Sequence, residues 1–231
     1  MIRHISFDLW LTLIKSNPLF KRKRAEFLSE HFNPKGFSVD NVINIVHSLD
    51  KACDRLNEKS GKKKEARLMY RSILKRLGYN LNNVHNNFLD DLVKQINQLF
   101  FEFPPVLLNH HIPDILKDLK GNGYTLNISS NTGFIEGPFL RRYLQKNHLD
   151  NFFDFAIFSD EIDASKPSEN FYNIVYQNAR AEKCEILHIG DNYTADYIGA
   201  TNFGFNALHI TNNDYTFELI KTTIDEKNRH F

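Results

Sequence analysis

The sequence predicts an α/β fold: a parallel sheet flanked by helices, interrupted after its first strand by an all-helical insert. Three observations carry this. An apolar run, Ile2 to Phe7, opens the chain and stops at Asp8. Beyond about residue 105, short β-rich runs alternate with helix-like stretches, which is the pattern of βαβ units. Between the two, about residues 18–103, apolar residues recur at helical spacing and no comparable strand run is seen.

Each element follows from its residues. Ile2 to Phe7 is a strand that joins the sheet from the N-terminus. The insert shows the sets Ala25, Phe27, Leu28, Phe32; Val42, Ile43, Val46, Leu49; Leu68, Ser72, Ile73, Leu77; and Phe88, Leu89, Leu92, Ile96, Leu99. Asn33-Pro34-Lys35-Gly36 and Gly78-Tyr79-Asn80 read as turns between its helices. Pro104-Pro105 returns the chain to the sheet. There Ile112 to Lys120 is a helix ending at Gly121 and Gly123, and Tyr124 to Ile128 is a strand. Phe153 to Phe158, Ile186 to Ile189 and Ala207 to Ile210 are further strands. Pro138 to Lys146, Glu169 to Ala179 and Ala195 to Asn202 are the helices between them. The expected domains are therefore 1–14 with 104–231, and 15–103.

The bulk composition excludes several classes. With 231 residues, 42% hydrophobic and 25% charged, the chain has the profile of a globular protein. A formal net charge of +1 does not suit a nucleic-acid binder. No stretch of 18 or more apolar residues is present, so no transmembrane helix is expected, and the N-terminus leads into a strand without a signal-peptide pattern. Cys53 and Cys184 lack metal-ligand spacing and suit a reducing cytosol. A cytoplasmic protein is expected, with neither nucleic acid nor membrane as partner; the oligomeric state is left open.

The chemistry gathers at the predicted strand ends, where open α/β sheets bind ligands. Asp8 closes the first strand, and an ionised carboxylate there can attack phosphorus without a general base. Thr12, four residues on, offers a hydroxyl to a phosphoryl oxygen. Ser130, followed by Asn131, offers another at the end of the Tyr124–Ile128 run. Lys166 precedes Pro167, with Ser168 placed to cap the next helix. Asp191, after Gly190, ends the Ile186–Ile189 run. Two carboxylates brought together repel unless a cation lies between them, and Mg²⁺ suits such oxygen ligands. Taken singly, each of these is also an ordinary turn, cap or solvated residue. Asp196, in the first turn of a helix, also complements the helix dipole.

Their order resembles the four motifs of the haloacid dehalogenase-like hydrolase superfamily: Asp8 and Thr12, then Ser130-Asn131, then Lys166, then Asp191 and Asp196. The resemblance implies a Rossmann-like core with a helical cap over the active site. It implies Asp8 as nucleophile, with Thr12, Ser130, Asn131 and Lys166 as its catalytic companions. It also implies a Mg²⁺ site made by Asp8, the Trp10 carbonyl and Asp191. Asp196 would orient Lys166 or support the metal through water. The expected substrate is a small phosphorylated metabolite, hydrolysed through an aspartyl-phosphate.

Trp10 departs from the pattern. Phosphatases of the superfamily carry a second Asp there, which protonates the leaving group and later activates water. Leu11 likewise replaces a usual Gly. General acid–base help is worth about 10²–10⁴-fold, so poor leaving groups are expected to suffer unless Lys15, another residue of the insert or water substitutes. Three activities fit: the phosphatase, a catalytically weakened binding protein, and a haloalkanoate dehalogenase. The dehalogenase is favoured by an aromatic residue at Trp10 and disfavoured by Asp191.

The remaining features read plainly. Lys21-Arg22-Lys23-Arg24 and Lys62-Lys63-Lys64 are solvated faces that can attract an anion. His110-His111 lacks a third ligand for zinc. His188 is a packed core residue.

Overall fold

The structure, a computed structural model, describes residues 1–62, 64–82, 84–210 and 216–229. Five parallel strands form its sheet in the order β5–β4–β1–β6–β7. They are β1 (His4–Phe7), β4 (Thr125–Ser130), β5 (Phe155–Phe158), β6 (Ile186–Gly190) and β7 (Asn206–His209). Parallel strands are covered on both faces, so their sequences are near-continuous apolar runs. β1 lies at the centre and is buried along its whole length. The covering helices are α5 (Ile112–Gly121), α6 (Gly137–Lys146), the short α7 (Ser159–Ile162), α8 (Glu169–Ala179), α9 (Gly199–Phe203) and α10 (Phe217–Asn228).

Among the described residues, four helices fill the interval between the first and second strands of the sheet: α1 (Pro18–Phe32), α2 (Val39–Ser60), α3 (Ala66–Leu77) and α4 (Phe88–Glu102). Their bounds have local causes. α1 starts at a proline, which tolerates the first turn, and the Asn17 side chain accepts from Leu19 N–H at 2.9 Å. α2 is capped by Ser38, whose hydroxyl accepts from Asn41 N–H at 3.2 Å. On α2 the periodic positions Val42, Val46 and Leu49 are buried as read, with Ile43 half-buried. On α3 Ile73 and Leu77 are buried and Ser72 is half-buried, but Leu68 is exposed, and Met69 and Tyr70 are the residues that turn inward beside them. One apolar cluster runs without a break from Val46, Tyr70 and Phe100 of these helices to Ile5 and Phe7 of β1.

Three features were not legible beforehand. Leu9 to Ile14 is not a simple continuation of β1. The chain doubles back at Leu11, whose φ is +60°, with Ile14 N–H donating to Leu9 O at 3.0 Å. Ile14–Lys15 (β2) then pairs antiparallel with Val106–Leu107 (β3), a ribbon that carries the chain into and out of the four helices. The expected helix Ala195–Asn202 begins earlier, as a π-helical turn over Tyr193–Ile198, before α9. α10 went unread because only Ile220 and Ile224 of its residues are buried, too few for a clear apolar stripe.

The basic run Lys21–Arg24 needs correction. Arg22 and Lys23 pair with Glu26 at the surface, but Arg24 is buried. Its guanidinium carbon lies 5.1 Å from the centroid of the Phe20 ring and 4.9 Å from that of Phe134. The guanidinium is flat and weakly hydrated, and it stacks where a lysine would not. Of the second basic run, Lys63 lies outside the described residues.

Candidate active site

Register brings the motifs to one edge. Phe7 of β1 pairs with Ile128 of β4 on one side and Ile189 of β6 on the other. The three chains therefore leave the sheet at the same level, with Asp8 between Ser129-Ser130 and Gly190-Asp191. Asp8 N–H still donates to Ile189 O at 2.8 Å, which prolongs the ladder by one residue. Thr12 is fully buried in the turn that follows, and Ser130 is equally buried, its hydroxyl 3.2 Å from Asn131 O.

Lys166 is the hub. Its ammonium, 1% exposed, donates to Asp8 Oδ1 at 2.8 Å, Ser129 O at 2.6 Å and Asp196 Oδ1 at 2.6 Å. Three N–H groups meet three acceptors, the condition under which a buried cation is tolerated. Asn131 holds the lysine's backbone from both sides. Its Nδ2 donates to Lys166 O at 2.9 Å, and its Oδ1 accepts from Lys166 N–H at 2.8 Å. Asn131 thus positions Lys166. Burial alone would push the lysine's pKa down, but Asp196 and Asp8 outweigh it and hold the group charged.

Asp196 is fixed at both oxygens. Oδ1 takes Lys166 and also His188 Nε2, at 3.1 Å; Oδ2 accepts from Asn192 N–H at 2.9 Å. Burial pushes its pKa up, but Lys166 and His188 overcome this and hold it well below the carboxylate range. Gly190 makes room for it: a Cβ there would lie 2.3 Å from Asp196 Cγ.

His188 is buried, as expected of a core residue, yet it is also wired to the site. Burial pushes its pKa down, so the ring is neutral. An ionised Asp196 only accepts, so His188 donates from Nε2 and accepts at Nδ1 from Ser6 Oγ, 3.0 Å away. The chain continues through Ser129 Oγ (2.8 Å from Ser6 Oγ), Asn127 Nδ2 (2.8 Å from Ser129 Oγ), His4 Nε2 (2.9 Å from Asn127 Oδ1) and Thr125 Oγ1 (2.7 Å from His4 Nδ1). Every hydrogen can point towards Asp196. The signal in the sequence was weak: polar residues at His4, Ser6, Asn127 and Ser129 interrupt otherwise apolar strands.

The third carboxylate is Asp191. Asp8, Asp191 and Asp196 each place one oxygen within 4.8 Å of the others. Burial pushes Asp8 up to about 7, with Lys166 opposing and Asp196 and Asp191 reinforcing. Burial also pushes Asp191 up to about 6, again with Asp196 reinforcing. Such crowding of hard oxygen donors is what a divalent cation relieves, so the residues present fit Mg²⁺. Asp196 already spends its oxygens on Lys166, His188 and Asn192. Asp8 and Asp191, with the Trp10 carbonyl, are left as the direct candidates. Trp10 itself is half-buried against the apolar cluster.

Sequence reasoning also missed the face of α2. Asp50, Asp54 and Glu58 recur every fourth residue and turn towards the sheet edge. A Cβ on Gly133, in the loop after β4, would lie 3.2 Å from Asp50 Oδ1. At the other end, Asn192 Nδ2, beside Asp191, donates to Glu58 Oε1 at 2.7 Å. Just past α2, Gly61 O accepts from Ser165 N–H at 2.8 Å, next to Lys166. Asp54 stays accessible to water, yet the protein packed round it pushes its carboxyl up to about 7, with Asp50 and Glu58 adding and Arg55 opposing. The four-residue spacing was visible, but acidic residues on an amphipathic helix ordinarily face solvent.

Comparison with known proteins gives a consistent picture. Residues 5–210 match the sequence pattern of the haloacid dehalogenase-like hydrolases. Over 115 residues the chain is 31% identical to the rhythmically expressed gene 2 protein of Drosophila melanogaster; the match spans 48% of this chain and 42% of that one. Over 103 residues it is 28% identical to a glyceraldehyde 3-phosphate phosphatase of Methanothermobacter thermautotrophicus, spanning 44% and 43%. The matched stretch is less than half the length of either relative. Among solved structures, the magnesium-bound HAD-hydrolase YfnB of Bacillus subtilis superposes with a TM-score of 0.66 at 19% identity, covering 90% of this chain and 86% of that one. A HAD phosphatase of Thermococcus onnurineus gives 0.64 at 18%, covering 96% and 98%. The L-2-haloacid dehalogenase of Xanthobacter autotrophicus, with chloropropionic acid covalently bound, gives 0.63 at 18%, covering 97% and 83%. At these identities the structural likeness speaks to the fold.

Proposed function

The chain belongs to the haloacid dehalogenase-like hydrolases, and on that premise we propose that it is a Mg²⁺-dependent phosphatase of small phosphorylated metabolites, working through an aspartyl-phosphate on Asp8. The observation that carries this reading is the cluster of Asp191 with Asp8 beside the Lys166–Asp196 pair. A dehalogenase attacking carbon has no need of a further carboxylate at Asp191. The aromatic residue at Trp10 favours that second reading, and the acidic cluster weighs against it.

The roles follow from the geometry. Lys166 opposes the effect of burial on Asp8 and favours its nucleophilic, ionised form. Asp8 attacks phosphorus as the ester oxygen departs, and water then releases phosphate from Asp8. The hydroxyls of Thr12 and Ser130 donate to the phosphoryl oxygens. Mg²⁺ held by Asp8, Asp191 and the Trp10 carbonyl would neutralise the paired acids and share the phosphoryl charge. Helices α1–α4 are read as a cap that closes over this edge, with residues 15–103 as its extent. No helix among the described residues is long and apolar enough to cross a membrane. The enzyme is read as cytoplasmic, and its formal net charge of +1 favours a small-molecule substrate over nucleic acid.

A screen of phosphorylated metabolites and p-nitrophenyl phosphate, with and without Mg²⁺, tests the proposal, with 2-chloropropionate as the dehalogenase control. Phosphate release that requires both Mg²⁺ and Asp8, and is lost in Asp8→Asn, is the expected result. Metal-independent chloride release would replace it with the dehalogenase reading.

A further inference from the structure

The phosphatase reading leaves one proton without a source, because the acid that the superfamily places two residues after the nucleophile is Trp10 here. The inference below rests on that reading and concerns the proton alone. Asp50, Asp54 and Glu58 lie about 40° apart round α2 and so share one face. Asp50 sits against Gly133 in the loop after β4, and Glu58 is bonded to Asn192 in the loop after β6. β1 lies between β4 and β6 in the sheet. Eight residues of helix span about 12 Å; two strand spacings span roughly 10 Å. The helix face therefore bridges the two loops with Asp54 at its midpoint, over the end of β1, where Asp8 and Trp10 emerge.

We propose that Asp54 is a catalytic residue: the general acid that protonates the leaving oxygen in place of the one missing at Trp10. An Asp8 oxygen bonds to phosphorus while the ester P–O bond breaks, and the Asp54 proton passes to the departing oxygen, which leaves as an alcohol. In the second step, water bonds to phosphorus and gives a proton to the Asp54 carboxylate. The Asp8–phosphorus bond breaks, and both acids return to their starting states. An acid for this task needs a proton near neutral pH, and the Asp54 carboxyl is pushed up to about 7 by the protein packed round it, then by Asp50 and Glu58, against Arg55. From the sheet edge, Asp191 faces the same group.

The test compares the rate at which Asp8 is phosphorylated by p-nitrophenyl phosphate, read as the burst of nitrophenolate, with that by an alkyl ester such as glycerol phosphate. Nitrophenolate is a stable anion and needs little protonation; an alkoxide needs much. In Asp54→Asn, the alkyl rate should fall by about 10²–10⁴-fold and the nitrophenolate burst by no more than a few-fold. Adding Trp10→Asp to that variant should restore alkyl turnover. Equal losses on both esters, or no loss on either, would overturn the assignment of Asp54 and leave the phosphatase reading standing. No Asp8-dependent phosphate release from either ester in the unmodified protein would remove both.

Discussion

Two sides of the candidate site, a sheet wall and an α2 wall, handle charge in opposite ways. On the sheet wall, Lys166 and Asp196 are almost wholly buried, and each is bonded to several partners. On the α2 wall, Asp50, Asp54 and Glu58 stand one turn apart: the effect of burial on Asp50 is opposed by Arg24, His47 and Lys21, that on Asp54 is reinforced by Asp50 and Glu58, and the amide of Asn192 holds Glu58. The sheet wall is organised before any substrate arrives, because each ionic group has its geometry dictated by neighbours from other strands and loops. On the α2 wall it is Asp54 that like charge crowds, from Asp50 on one side and Glu58 on the other, which suits a group whose protonation changes during a reaction. In the proposed mechanism, fixed charge orients Asp8 and crowded charge keeps a proton available on Asp54.

The sharpest way to break this contrast is to remove a partner from the sheet wall. Lys166→Met leaves Asp8 and Asp196 buried without their shared cation. Losing one member of a buried, bonded pair costs on the order of 3–5 kcal/mol. Urea unfolding should show a loss of that size, and a loss under about 1 kcal/mol would mean that the wall is not held by this hub.

A second prediction concerns pH. The carboxyls of Asp8 and Asp191 are raised to about 7 and about 6 from an ordinary 3.8. Between these limits the metal-free folded chain binds more protons than the unfolded chain. The contribution of these groups to stability is therefore full below about pH 4 and is lost as the pH rises through 6 and 7. Mg²⁺ competes with the same protons. The rise in Tm given by millimolar Mg²⁺ should be larger at pH 8 than at pH 5, and should vanish in Asp191→Asn. An equal rise at both pH values would contradict the site.

The smallest effect is expected at the turn that leads from Asp8 to β2. Leu11 holds a left-handed backbone, φ +60°, with its side chain exposed. A non-glycine residue pays roughly 1–2 kcal/mol for that conformation, of which the greater chain entropy of glycine recovers about half. Leu11→Gly should stabilise the fold by about 0.5–1 kcal/mol, and denaturant melts should show it. A loss instead would mean that the leucine side chain makes a contact that outweighs the strain.

The difference between the walls also explains what the sequence disclosed. Asp8, Ser130 and Asp191 sit at the ends of apolar strand runs, and a parallel sheet has one edge at which such ends meet. Their order therefore implied their convergence. Lys166 was readable from its place before Pro167 and a capped helix. The α2 wall was not readable. Which way Asp54 points depends on how the helix is rolled by its packing through Val46 and Cys53 and pinned through Glu58 and Gly61, and none of those contacts is local in sequence. His188 escaped for a related reason: its partners, Ser6 and Asp196, come from a neighbouring strand and the turn beyond its own.

The central claim is that Asp8 is phosphorylated during turnover. Borohydride reduces an aspartyl-phosphate to homoserine. The protein, mixed with p-nitrophenyl phosphate and Mg²⁺, quenched during turnover and treated with borohydride, should yield a peptide carrying homoserine at Asp8 and at no other carboxylate. Steady release of phosphate with Asp8 recovered intact, or homoserine at Asp191 or Asp54 instead, would contradict the account.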